Sequence, residues 1–153
     1  MANQAFTYQG SKFYISTETA TDDMDETALE ALTWTEVSNV GKVGTYGFDT
    51  NIVTYPTLGD VFQKKAKGIT NAGDPEVEMA QNPGDPGQEA MAAAGAANQD
   101  AYAFKYEKSN GVTDYMVGVV TGPTEPGGGN EDFVLSVYTL ALTNFVRVNP
   151  TPA

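Results

Sequence analysis

The chain has 153 residues, with 20 acidic against 8 basic side chains, a formal net charge of −12, and neither cysteine nor histidine. That length suits one domain with its own core, while the composition removes disulfides, thiolate metal ligands, Ser/His/Asp and Cys/His catalysis, and the commonest transition-metal ligand. The acidic balance disfavours a partner gripped through phosphates, which needs Lys and Arg, and the lack of a leader-like start or an apolar run near ~20 residues predicts a soluble protein made in the cytoplasm.

Residues 1–33 read as an N-terminal strand followed by an acidic segment. Phe13-Tyr14-Ile15-Ser16 is short, aromatic and β-branched, as a strand should be. No base lies between Lys12 and Lys42, whereas Glu18, Asp22, Asp23, Asp25, Glu26, Glu30 and Glu36 accumulate there. Asp23 and Glu26 have capping-box spacing, and Met24, Ala28, Leu29 and Leu32 recur at helical spacing, so a short helix docked by one face should end near Thr33. Strands are expected at Trp34–Val37, Val43–Phe48, Asn51–Tyr55 and Val61–Lys67, punctuated by glycines and Pro56. Residues 54–73, turn-rich with Lys64, Lys65 and Lys67 at their centre, read as a long mobile hairpin. Both this hairpin and the N-terminal segment are expected to move in the monomer, being polar and without a sustained apolar face.

Glu76-Val77-Glu78-Met79 alternates carboxylate with apolar residue, the pattern of a half-buried strand with both Glu side chains on its wet face. A helix is predicted over residues 85–98: Asp85 caps it, Pro86 takes the first helical position, Gln88 the third, and an alanine-rich run follows that would lie close to a sheet. Tyr102, Phe104 and Tyr106 share a strand face, Asn110-Gly111 makes a turn, and Tyr115, Val117 and Val119 share a face of the next strand. Residues 122–130, with Pro123, Pro126 and three successive glycines, form a loop. Residues 132–148 are the longest β-like run, apolar on both faces, and as one strand would exceed the usual ~3–10 residues, so the strand bends or spans something large. Residues 149–153 are a short extended tail.

The ordered set Leu32-Thr33-Trp34-Thr35-Glu36-Val37, Val40-Gly41, Lys65-Ala66-Lys67-Gly68 and Asp85-Pro86-Gly87-Gln88 before an alanine-rich helix resembles the tail tube proteins of long-tailed, non-contractile bacteriophages. The chain departs from many relatives in having no appended immunoglobulin-like domain and in carrying the Gly127-Gly128-Gly129 loop. The resemblance implies a mainly β fold with one flanking α-helix, a β-sandwich or barrel subunit whose strands join a ring-wide inner β-barrel. It also implies a structural virion protein with no catalytic residue, metal or cofactor. Hexameric rings would stack around a tape-measure protein, with tail terminator and distal tail proteins as further partners. The tube would be assembled in the bacterial host cytoplasm and would conduct phage DNA without specific binding and without a membrane. If each subunit supplies four strands, 24 strands at ~4.8 Å spacing and ~40° tilt give a backbone radius of about 24 Å and a lumen about 35 Å across, wide enough for a duplex.

A conduit must not hold its cargo, and carboxylates repel phosphates over a Debye length of about 8 Å. Glu76 and Glu78 are therefore the first candidates for the lumen wall, with Asp114 a third; the plain alternative is that they cover solvent-facing sheet. Lys64, Lys65 and Lys67 are candidates for contact with the acidic segment of the next ring, through Asp22, Asp23, Asp25 and Glu26; the plain alternative is a solvated turn, since an exposed pair contributes only ~0–1 kcal/mol. Trp34, Phe104 and Met91 are expected to pack the core. The tyrosines suit packing better than base stacking, which lacks a basic groove here. The Asp22–Glu26 cluster fails the EF-hand spacing, Gly41, Gly44 and Gly47 lack the Walker lysine, and Glu76 and Glu78 on one strand face do not oppose each other across a cleft as glycosidase carboxylates must. The rival readings are a β-sandwich module binding carbohydrate or protein, a carboxylate hydrolase, and the tube protein of a contractile tail or secretion system.

Overall fold

A computed structural model describes residues 5–96 and 99–150. In chain order the elements are β1 (Lys12–Thr19), α1 (Glu26–Glu30), β2 (Trp34–Val37), β3 (Val40–Val43), β4 (Asp49–Tyr55), β5 (Lys64–Asn71), β6 (Glu76–Ala80), α2 (Pro86–Ala96), β7 (Ala101–Glu107), β8 (Thr113–Thr124) and β9 (Leu135–Val148). The fold is mainly β. Nine strands make one seven-stranded antiparallel sheet, ordered β2-β1-β7-β8-β9-β6-β3, and a separate two-stranded hairpin, β4-β5.

The sheet curls because of one short connection. Its two edge strands, β2 and β3, are consecutive in sequence and joined by Ser38 and Asn39 alone. Asn39 sits at φ 59°, where Asn is among the few side chains tolerated, and this kink lets a single run leave β1 and pair with β6. A sheet whose edge strands are joined by a two-residue link must roll upon itself, so the seven strands form one rolled, barrel-like sheet.

The helix α2 holds that junction. Asp85 accepts from Gln88 N (3.0 Å), capping the helix, and from Ser38 N (3.2 Å). Gln88 then donates to both Ser38 O (2.9 Å) and Ala80 O (2.8 Å), and accepts from Asn82 N (2.9 Å). One capping sequence thus satisfies the backbone of Ser38, just before the kink, and of Ala80 at the end of β6. Met91 and Ala94 point inward with Phe13, Ile15, Val77, Met79 and Phe104 in the main core. Residues 97 and 98, the end of the predicted helix, lie outside the described residues, as do 1–4 and 151–153.

A second, smaller cluster covers the opposite face of half the sheet. Ala20 and Leu29, from the acidic segment, pack on Ala103, Tyr115 and Val117, with Trp34 partly buried beside them. Both faces of β8 are therefore buried at its N-terminal end.

Several expected boundaries shift. The cap of α1 is Asp25, which accepts from Ala28 N (2.9 Å), whereas Asp23 accepts from the Thr21 hydroxyl. The strand expected at Val43–Phe48 is Val40–Val43, because pairing with β6 captures the run directly after the kink. The hairpin begins at Asp49 instead of Thr54. Residues 122–124 continue β8 before the loop starts. The longest strand, β9, has 14 residues, and its pairing with β8 shifts register at Val117/Gly118 and Thr121/Thr124.

Candidate functional site

Two surfaces stand out once the core is assigned. The first is the outward face of β8, β9, β6 and β3, four strands that are contiguous in the sheet. Strand alternation sends Val77 and Met79 into the core and Glu76 and Glu78 outward, Glu76 exposed and Glu78 half-buried. Lys42 lies directly across from Glu78, and Val137 and Thr139 of β9 complete the neighbourhood. Glu76, Glu78, Lys42 and Asp74 rim a shallow depression there. Further along this face, Thr121 and Thr124 are exposed. Among the described residues, β7 pairs with β8 only as far as Val119, which leaves the outer edge of β8 free over residues 120–124, and β3 pairs only with β6, which leaves its outer edge free.

The second surface is the β4-β5 hairpin. The strands carry the three sequence-predicted lysines, but the larger feature is apolar: Val61 is 96% exposed, Phe62 84% and Ile69 80%, with Ile52, Val53, Tyr55 and Leu58 exposed around them. Sequence reasoning missed this surface by attending to the lysines, although five large apolar residues in the turn-rich stretch 54–73 were already a signal that no intrachain core would absorb them. Lys64 is held within the hairpin loop by Asp60 (3.2 Å). On the acidic side, Asp22, Asp23 and Glu26 are exposed on the segment that covers the barrel, while Asp25 is engaged at the helix cap. The lysines and the acidic segment make no ion pair with each other within the chain, among the described residues.

Asp114 must be reassigned. It is fully buried on the core side of β8 and cannot line a lumen. Its carboxylate accepts from Arg147 Nε (2.8 Å) and pairs with Lys108 Nζ (2.7 Å), and the Tyr46 hydroxyl donates to it as well. Burial alone would raise this carboxyl, but the bonds from Arg147, Lys108 and Tyr46 outweigh it and hold it below the ordinary value of 3.8. Phe104 and Met91 are fully buried in the main core, whereas Trp34 belongs to the smaller cluster, tilted against Tyr115 at 5.7 Å with the Lys105 ammonium 5.5 Å from its ring. No group of His, Cys, Asp and Glu side chains suited to a metal occurs among the described residues, and no helix there is long and apolar enough to cross a membrane.

The profile of a family described as phage tail tube protein matches residues 16–147. No curated protein matches the chain. Among solved structures, the fold is similar to a chain from the sheath/tube terminator of an extracellular contractile injection system in its extended state, with TM-score 0.69 at 10% identity over 97% of this chain and 99% of that one. It is also similar to a chain from the tube-terminating cap of the anti-feeding prophage, with TM-score 0.67 at 14% identity over 98% and 95%. A chain from the sheath–tube complex of the contractile injection system aligns with TM-score 0.64 at 11% identity over 96% and 93%. At such identities these likenesses speak to the fold.

Proposed function

The chain belongs to the phage tail tube protein family, and from that premise we propose that it is a structural subunit whose copies join edge to edge into hexameric rings, the rings stacking into a hollow tube that conducts phage DNA during ejection. The observation that carries this reading is the four-stranded patch. Beyond the part of β8 and β9 that the acidic segment covers, its face is left open; among the described residues β3 is free along its outer edge and β8 over residues 120–124, and its charge includes Glu76 and Glu78. A free edge is a row of unpaired backbone donors and acceptors that another strand satisfies, and a second copy offers the complementary edge. Joined in this way, the open faces form the inner wall, and their carboxylates repel the phosphates of passing DNA.

Stacking falls to the hairpin. Burying the side chains of Leu58, Val61 and Phe62 is worth about 1.5–3 kcal/mol each, whereas an exposed Lys–carboxylate pair adds about 0–1 kcal/mol. The apolar tip therefore supplies the larger share of adhesion between rings, and Lys65 and Lys67, facing the acidic segment of a neighbouring copy, supply register. The tape-measure protein occupies the lumen before DNA does, and terminator and distal tail proteins cap the two ends. The subunit contributes no catalysis and needs no cofactor in this account, and it works in the virion tail after assembly in the host cytoplasm. The same geometry serves a contractile or a non-contractile tail.

Negative-stain microscopy of the concentrated protein tests the reading. Hollow rings or tubes are expected; single globular copies persisting even with the tape-measure and terminator proteins present would end it.

A further inference from the structure

The hairpin leaves the barrel through two short links, and the contacts that fix its direction lie at its root. On the incoming side, Gly44 N donates to Glu76 O (2.8 Å), which ties the chain to β6. On the outgoing side, Leu142 N donates to Gly73 O (3.2 Å), which ties it to β9. Between these anchors Gly47 at φ 140° and Gly73 at φ 103° adopt backbone that L side chains rarely reach, and one bond, Gly47 N to Ala72 O (2.9 Å), joins the two links. Beyond that bond β4 and β5 pair only with each other, among the described residues. At ~3.3 Å per residue a strand the length of β5 reaches about 25 Å, so a rotation of about 10° at the root moves the tip by about 4 Å. Direction at the root thus decides where the tip lands.

One residue of these links reaches into the barrel's buried charge. The Tyr46 ring packs 5.5 Å from Phe145 and 6.4 Å from Tyr106, and its hydroxyl donates to Asp114. Asp114 stands on β8, Arg147 on β9 and Lys108 in the turn between β7 and β8, so the carboxylate fixes the hydroxyl relative to three parts of the sheet. Burial and the Asp114 carboxylate push the Tyr46 hydroxyl far above its ordinary value, which keeps it a donor at physiological pH. Phe48, on the far side of Gly47, meets Phe145 edge-on at 5.0 Å, a contact that holds the ring without fixing its azimuth.

We infer that the Tyr46 hydroxyl and the Asp114 carboxylate are positioning groups for assembly: they latch the root of the hairpin to the barrel and set the angle at which its apolar tip is presented to a second copy. The tip's role as a docking element rests on the function proposed above; the latch itself is a property of the single chain. Removing the hydroxyl leaves Asp114 with both cations, so no buried charge is stranded and the barrel stays folded.

The test uses the cysteine-free background. Spin labels go at Gly59→Cys on the hairpin tip and Ala92→Cys on the exposed face of α2, and electron–electron distances are measured on dispersed subunits with and without Tyr46→Phe. The latch predicts that Tyr46→Phe widens the distance distribution about twofold while the thermal midpoint moves only a few degrees, since local disorder at the root costs little global stability. An unchanged distribution overturns the inference, and so does a collapse of the midpoint, which would make Tyr46 a core residue. Tube formation, scored separately, is expected to require more protein in the variant. Failure of the parent protein to form tubes would count against the proposed function and leave the distance measurement standing.

Discussion

Substituting Gly87 by alanine tests whether α2 closes the barrel. Gly87 is buried at the second position of α2, and a Cβ there would overlap Glu36 O and lie 2.5 Å from Val37 Cα, both backbone atoms of the run that carries the kink. Carbon atoms in contact sit ~3.5–4.0 Å apart, so helix and strand would have to separate by about 1 Å. If the helix merely lay nearby, alanine would gain up to ~1 kcal/mol from helix propensity and reduced unfolded-state entropy. The close approach reverses that sign. Overpacking costs about 1–3 kcal/mol, and a retreating helix also loosens the two bonds from Gln88 to Ser38 O and Ala80 O, each worth about 1 kcal/mol. For a chain of this length the net loss corresponds to a midpoint lowered by roughly 3–10 °C, read by calorimetry or circular dichroism. A midpoint equal to or above that of the parent protein would refute the packing argument.

The remaining predictions concern charge and adhesion. Because the folded-state Asp114 carboxyl is held below 3.8, its contribution is fully present above that value and lost as pH falls through the lower folded value; stability should therefore be insensitive to this group from neutral pH down to about 4 and decline below. Asp114→Asn should cost about 3 kcal/mol at neutral pH, near the low end for a broken buried pair because Arg147 is half exposed to water; a urea midpoint unchanged by the substitution would contradict this. Replacing Leu58, Val61 and Phe62 together by serine should abolish stacking, while reversing the charge of Lys64, Lys65 and Lys67 should weaken and misregister it. Microscopy showing tubes of unaltered length from the apolar variant would exclude the hairpin tip as the adhesive element.

The local signals in the sequence located the elements well where one residue's chemistry decides the backbone. Asp85, Pro86 and Gln88 announce a helix start because a cap, a fixed φ and a reciprocal acceptor are local requirements, although their second job, clamping Ser38 and Ala80, depends on tertiary placement. The Glu76–Met79 alternation is equally direct, since one side of β6 is packed and the other open. Alternation failed at β8 for a physical reason: the acidic segment covers one face of its N-terminal half and the main core the other. With apolar residues on both faces, Asp114 gave no sign of its side, and only the partners Arg147, Lys108 and Tyr46, distant in sequence, explain its burial. The cap of α1 was ambiguous because Asp22, Asp23 and Asp25 all stand near the start, and the position of Ala28 N selects Asp25. The kink at Asn39, which turns an ordinary strand pair into the seam of a barrel, follows from pairing with β6 and has no local signature.

What faces the channel is settled most directly by a cryo-electron microscopy reconstruction of the assembled tube. The account predicts hexameric rings with the outward face of β8, β9, β6 and β3 on the inner wall and the carboxylates of Glu76 and Glu78 pointing at the axis. A wall that leaves Glu76 and Glu78 turned away from the axis, or a basic inner surface, would contradict it.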